Sequence, residues 1–444
     1  MTGSRSNRLL SILQSLDRSE RLSPSHIEQL QFKRLEILLA HANHHAAFYR
    51  KRLAATGYVE GSALTPEMWR RLPVLERADV QSNGDDLCSR VLPANYRIAG
   101  KVHSSGSTGR PIRVVKTNFE LLVHEAITLR ALRWHTRGTT GTLAAVRWYP
   151  DGVAAPPDGF RMPNWGPPIS YVYSTGPAWT LSIAASSAQQ ARWLGEVQPD
   201  YLVAFPSLLP ELARECRQQG ITLARLKQIR TLSECVDTAT RDLCRETWGV
   251  PLHDLYSAQE VGYIALQCSD CENYHVQAEA IHVEVLNALG GSCRAGEIGR
   301  VVVTPLYNFA MPLLRYAIGD YAEVGEVCQC GRGLPVLRRI LGRTRNMLTL
   351  PSGDKLWPRL SELRYAEILP VEQFQMVQTS LSGLEVRLVT ARRATAEEES
   401  RLRDMIVARI GHPFEVRFSY PDRIERSAAG KFEDFRSELP IDHK

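Results

Sequence analysis

The chain contains no apolar run long enough to span a bilayer, no block of lysine and arginine, no internal repeat and no low-complexity tail. The first absence argues against a membrane-spanning protein, because a crossing helix needs about 20 consecutive apolar residues. The second, with a net charge of only +6 spread over 444 residues, argues against a dedicated nucleic-acid binder. The opening "MTGSRSNRLLSILQSLDRSE" lacks both an apolar core and a small-residue cleavage site, so no secretory signal and a cytoplasmic location are expected. Nine cysteines in a chain of this length do not make a secreted disulfide scaffold. Cys88, Cys216, Cys235 and Cys244 are scattered and read as ordinary small residues. Lysine is scarce as well. Only eight occur, so each one near a glycine deserves inspection.

What is present is a globular composition, 44% hydrophobic and 23% charged, at a length that predicts two or three domains. Residues 25 to 56 carry Ile27, Leu30, Leu35, Leu38, Leu39 and Ala42 at helical spacing after a Ser-Pro-Ser start, which predicts a helix. His41, His44 and His45 lie on it, as a polar face or, less simply, a metal site. From residue 100 to about 310, β-rich stretches ("LAAVRWYP", "YLVAF", "PLHDLY", "HVEVLN", "GRVVVTPL") alternate with helical patterns ("SAQQARWLGEV", "PSLLPELARECRQQG", "TATRDLCRETWG"). That alternation predicts a layered α/β domain. After residue 343 the pattern changes to strands at "QFQMVQ", "EVRLVTA" and "EVRFSYP" around a charged helix, "AEEESRLRDMIVARIG". A small separate α+β domain is expected there.

Several short stretches carry chemistry. "HSSGSTGRP" (103–111) joins two predicted strands, "RIAGKV" and "IRVVKT". A glycine-rich hairpin tip points several N–H groups one way, and the hydroxyls of Ser104, Ser105, Ser107 and Thr108 with Arg110 would suit a polyphosphate. A flexible surface turn is the plainer reading. In "LYSAQEVGY" (255–263), Tyr256 could stack on a base and Glu260 could hold Mg²⁺ by oxygen ligation, or both could belong to an ordinary strand end. "MPLLRYAIGDY" (311–321) sets Asp320 after a predicted glycine turn, where a carboxylate can accept two hydroxyl bonds. "ILGRTRN" (340–346) lies at the expected domain boundary. "SAAGKFEDF" (427–435) puts Lys431 on a small-residue loop, able to neutralise charge on a phosphate or carboxylate unless it is simply a surface lysine.

In this order and at these separations, the stretches resemble the adenylate-forming superfamily of acyl-CoA synthetases, adenylation domains and luciferases. The closer resemblance is to the phenylacetate–CoA ligase branch, with its capsule-biosynthesis relatives. It runs from "LLAHANHHAAFYRKRL" to "AAGKF" and includes "PDYLVAFPSLL" and "GRVVVTPLYNFAMPLLRYAIGD". It implies a large N-terminal adenylation domain (1–343, with a helical leader over 1–60) and a small mobile C-terminal lid domain (344–444). It also implies that Ser104, Ser105, Gly106, Ser107, Thr108 and Gly109 wrap the phosphates of ATP. Ser233 and Glu234 would flank the adenine, Tyr256 would stack on or flank the base with Ser257 as a further nucleotide-binding residue, and Asp320 would take the ribose hydroxyls with Arg343 nearby. Glu260 would bind Mg²⁺ and Lys431 would assist adenylation. Coenzyme A would be the acceptor, and dimers occur in the branch.

Three departures stand beside these matches. Gln259 replaces a usual Thr or Ser, Arg345 with Asn346 replaces the usual acidic hinge, and no lysine follows Pro111. "CSDCENYHV" (268–276) and "CQCG" (328–331) offer five soft or borderline ligands for a tetrahedral zinc site that needs four. By comparison with the branch, Cys268, His275, Cys328 and Cys330 would be the ligands and Cys271 a substitute, in a structural role; unligated thiols are the alternative.

Trp134, His135, Trp148, Tyr149, Trp165, Tyr171 and Tyr173 could line a pocket for an aromatic acid or be core. Two other readings remain open. One is an adenylating ligase that uses an amine or a carrier-protein thiol; the other is a degenerate nucleotide-binding scaffold, kept alive by Gln259 and Arg345.

Overall fold

The computed structural model describes residues 4–104, 111–358, 360, 363, 365–427 and 430–439. The leader forms helices Arg5–Ser19, Pro24–His45 and Ala47–Ala54. The first two are capped by Ser4 and Ser23, whose hydroxyls accept from N–H groups three residues on. The single expected helix over 25–56 is broken at Ala46, which is extended (φ −116°, ψ 116°). Ile27, Leu35, Leu38, Leu39 and Ala42 are buried as expected, but Leu30 faces solvent. His44 pairs with Glu60, and His41 bonds Ser89 and the Phe309 carbonyl, so these histidines are bound to ordinary partners.

The fold is mixed α/β, as predicted. A seven-stranded sheet has the order Ile281–Leu286, Ile298–Pro305, Tyr316–Val324, Val336–Arg343, Tyr274–Val276, Gly262–Gln267, Leu255–Ala258. Its registered pairs run antiparallel. A six-stranded sheet has the order Phe160–Met162, Ala178–Ser182, Leu143–Arg147, Tyr201–Ala204, Gln228–Thr231, Leu252–His253. Its strands from Leu143 to His253 pair in parallel, with helices Ser187–Val197, Leu209–Gln218 and Thr238–Trp248 between them. Parallel neighbours need such crossovers, and the inner strand Tyr201–Ala204 is accordingly buried throughout. "PLHDLY" is therefore not one strand. Leu252–His253 ends the six-stranded sheet and Leu255–Ala258 begins the edge of the other.

A four-stranded sheet, Glu415–Ser419, Gly383–Val389, Gln373–Gln378 and Phe435–Ser437, carries the C-terminal helix Ala396–Ile410. Leu402, Ile406 and Ile410 of that helix pack on Phe374, Met376, Leu384, Val386 and Leu388. Thr395 and Glu398 close a reciprocal cap at its start, and Gly411 ends it in the left-handed region. The strands Ile98–His103 and Arg113–Thr117 form an antiparallel hairpin.

The chain divides into two compact units. One is Met1–Thr142, Met162–Ala178 and Asp254–Ile340; the other is Leu143–Arg161, Trp179–His253 and Leu341–Lys444. Among the described residues, no helix is long and apolar enough to cross a membrane.

Candidate active site and metal cluster

Within the first unit, the hairpin delivers Ser104 to a buried position. Its N–H donates to the Ile112 carbonyl (2.9 Å), and its Oγ accepts from the Ile112 N–H (3.0 Å) and from Arg77 Nη2 (2.6 Å). The other guanidinium nitrogen of Arg77 stands 3.5 Å from Glu260 Oε1. Ser105, Gly106, Ser107, Thr108 and Gly109 lie outside the described residues.

Glu260 sits in the turn between Leu255–Ala258 and Gly262–Gln267, closed by the Val261 N–H on the Ala258 carbonyl (3.2 Å). Gly262 makes this turn possible. Its φ is +80°, and a Cβ there would lie 2.3 Å from the His124 ring. Beneath it, Lys116 Nζ donates to the Glu260 carbonyl (2.7 Å) and to Glu120 Oε1 (2.5 Å). Burial alone would push the Glu120 carboxyl up. The His124 ring and the Lys116 charge outweigh that and hold it below the usual carboxylate range. Gln259 and Ser257 are exposed.

Asp320 is not after a turn. It lies inside the strand Tyr316–Val324, at a bulge where Arg300 pairs with Tyr321 and Val302 with Ala317. Gly319, at φ +87°, absorbs the extra residues. The buried Asp320 accepts from the Tyr256 hydroxyl (2.8 Å), so the candidate ribose and base residues are tied together.

In the second unit, the strand Gln228–Thr231 ends in a strained turn with Ser233 at φ +72°. Glu234 follows, its carboxyl raised by burial against the bonds it accepts from Phe432 and Ser207 N–H groups. Around Lys431, the Gly430 N–H donates to the Ser427 carbonyl (2.8 Å), the Ser427 N–H to the Lys431 carbonyl (2.8 Å) and the Lys431 N–H to Ser427 Oγ (3.1 Å). Arg345 forms an ion pair with Glu433. Asn346 accepts from the Arg343 N–H (3.1 Å) and donates to the Phe435 carbonyl (2.8 Å).

The ligand atoms of Cys268, His275, Cys328 and Cys330 all lie within 4.8 Å of one another. The Cys268–Cys328 sulfur separation is 3.9 Å and Cys330 Sγ stands 3.2 Å from His275 Nε2. Sulfurs bound tetrahedrally at ~2.3 Å would stand about 3.8 Å apart, so the donor set fits zinc. His275 is pushed down to about 4 by burial and then by the Arg332 charge, leaving a neutral ring suited to ligation. Arg332 stacks on Trp134 at 4.1 Å and points Nη1 at Cys268 Sγ (3.9 Å). Cys271 is exposed, 3.6 Å from Cys328 Sγ. Of the aromatic residues between 134 and 178, Trp134 and Trp165 are buried, whereas Trp148 and Tyr171 are exposed.

Arg77, Lys116, Glu120, Ser207 and Arg426 were not anticipated. For Lys116 a signal existed: a scarce lysine ending a strand, with a glutamate four residues on. Nothing local marks Arg77, whose partners are 27 and 183 residues away.

The chain shares its fold with solved CoA ligases. The CapK C-terminal domain family matches residues 363–437. More particularly, the chain is similar to phenylacetate–coenzyme A ligases. It is 26% identical to that of Thermus thermophilus over 366 residues (79% of this chain, 78% of the relative). It is 23% identical to that of Pseudomonas putida over 382 residues (83% and 82%). Among solved structures, 2-hydroxyisobutyryl-CoA ligase in the postadenylation state with 2-HIB-AMP matches with a TM-score of 0.74 at 19% identity, covering 95% of this chain and 92% of the other. The same ligase in the thioesterification state matches at 0.61 and 20% identity, covering 95% and 91%.

Proposed function

We propose that this chain is an ATP-dependent, AMP-forming acid–thiol ligase. A substrate carboxylate oxygen attacks the α-phosphorus of ATP, the bond from that phosphorus to pyrophosphate breaks, and an acyl-adenylate forms. The sulfur of coenzyme A then attacks the acyl carbon, the carbon–oxygen bond to AMP breaks, and the thiol proton is lost to solvent. The work is mostly positioning and charge neutralisation.

The observation that carries the reading is the buried Glu260, pinned by Lys116 through its carbonyl and facing Arg77, which also holds Ser104. Glu260 would hold Mg²⁺, which neutralises phosphate charge when bound. Asp320 and Tyr256 would take the ribose and base, with Ser257, Ser233 and Arg343 as further nucleotide contacts, and residues 105–109 would complete the phosphate loop. Lys431 would bring positive charge to the α-phosphate. On this reading residues 1–343 bind ATP and acid and residues 344–444 form the mobile domain. Similarity to phenylacetate–coenzyme A ligases supports an aromatic or arylacetic acid as substrate and coenzyme A as acceptor.

Acid-dependent ATP–pyrophosphate exchange across aryl, arylacetic, amino and short aliphatic acids tests the first step. Product mass after adding coenzyme A, amines or a carrier protein identifies the acceptor. Absence of exchange with every acid would favour the scaffold reading. Cys268, His275, Cys328 and Cys330 would hold a structural zinc; about one equivalent by metal analysis is expected, and a Cys328→Ser chain that keeps full zinc and stability would refute it.

A further inference from the structure

Glu234 spends both of its oxygens on main-chain donors. Oε2 accepts from the Ser207 N–H (3.0 Å) and Oε1 from the Phe432 N–H (2.6 Å), with the side chain only 8% exposed. Phe432 is the residue directly after Lys431. Arg426 closes the arrangement. Its guanidinium lies 3.7 Å from Glu234 Oε1, donates to Ser207 Oγ (2.7 Å), reaches the Gly430 carbonyl (3.4 Å) and sits over the Phe432 ring. The residues flanking Lys431 on both sides are thus anchored to one buried carboxylate–guanidinium pair, while its own N–H is held by Ser427.

Charge-assisted bonds of this length are strong and directional. A carboxylate can serve two N–H donors from opposite oxygens; an amide offers one acceptor oxygen and would turn its NH₂ toward the other donor. The pair is therefore a specific device for holding a loop, not a generic buried charge.

We infer that Glu234, with Arg426 and Ser207, is a positioning residue that sets the Lys431 loop for acyl-adenylate formation. The inference rests on the reading of Lys431 above. On that reading Lys431 serves attack on the α-phosphorus, so loss of the clamp falls on the first step. This role differs from the adenine-side contact that the family resemblance implies for Glu234, and kinetics separate the two.

The experiment compares Glu234→Gln with the wild-type full-length chain in both half-reactions. Pyrophosphate exchange is expected to fall about 10- to 100-fold, the cost of one lost bond to a charged group. KM for ATP stays near wild type, and thioester formation from supplied acyl-adenylate stays within about twofold, as expected when only a transition-state interaction is lost. In a Lys431→Ala background the same substitution adds nothing, because the two act as one unit. A raised KM for ATP with kcat held, equal losses in both half-reactions, or additive losses with Lys431→Ala would each overturn the clamp. If the wild type exchanges no pyrophosphate with any acid, the ligase reading fails instead. Amide hydrogen exchange of the peptide carrying Phe432 then still decides the clamp: faster exchange in Glu234→Gln supports it, and unchanged protection refutes it.

Discussion

Two lysines in this chain are held in opposite ways. Lys116 is buried, its ammonium locked between the Glu120 carboxylate and the Glu260 carbonyl, with both side chains of the ion pair at most 5% exposed. Lys431 is half-buried on a loop whose main chain is anchored by Ser427 and by Glu234 at the next residue. The first arrangement fixes a charge as part of the core. The second fixes the main chain around the lysine. The buried Lys116 is paired directly, whereas the lysine proposed to act on ATP sits on main chain positioned by its neighbours.

The sharpest way to break this comparison is to remove each ammonium in turn. Lys431→Ala is expected to cut pyrophosphate exchange by roughly 10²–10³-fold, the size of effect seen when one donor to developing charge is lost. Its denaturation midpoint should stay near wild type, since a partly exposed side chain off the core changes stability by about 0.5 kcal/mol or less. Lys116→Ala should do the reverse first, lowering unfolding free energy by about 3–5 kcal/mol because a buried carboxylate loses its ammonium partner. Urea unfolding of the two variants side by side reads both; equal destabilisation would dissolve the distinction.

A smaller effect concerns pH. The Glu120 carboxyl is held below its ordinary value of 4.5 in the folded chain, so its contribution to stability is present above that value. That contribution is lost as pH falls from about 4.5 through the lower folded value. The stability gap between wild type and Glu120→Gln should accordingly be widest near neutrality and narrow below pH 4.5. A gap independent of pH in chemical unfolding curves would show that Glu120 is not ionised in its buried pair.

Much of this molecule was legible along the chain. The helices Ser187–Val197, Thr238–Trp248 and Ala396–Ile410 and the strands Tyr201–Ala204 and Gln373–Gln378 follow from periodicity and caps. The helix Asn118–Trp134 did not stand out, because ten of its residues are buried and no single apolar stripe distinguishes it. The split of "PLHDLY" between two sheets has no local sign. Asp254 between them is buried against the Tyr274 hydroxyl (2.7 Å) and the Gln267 side chain, partners that only the fold brings close.

The sequence by itself determined the residue types and spacings on which the resemblance to adenylate-forming ligases rests: the Ser/Gly stretch, the Glu after "YSAQ", the Gly-Asp pair and Lys431 after "SAAG". It also determined the set of thiols and imidazole that could bind zinc. Tertiary structure decided how these are held. It put Asp320 on a strand bulge bonded to Tyr256, set Arg77 between Ser104 and Glu260, and gave Glu234 to the residue after Lys431. The reason is geometric. Motif residue types are dictated by local chemistry and can be read in order, whereas hydrogen bonds across 27 to 198 residues exist only after the core has closed around them.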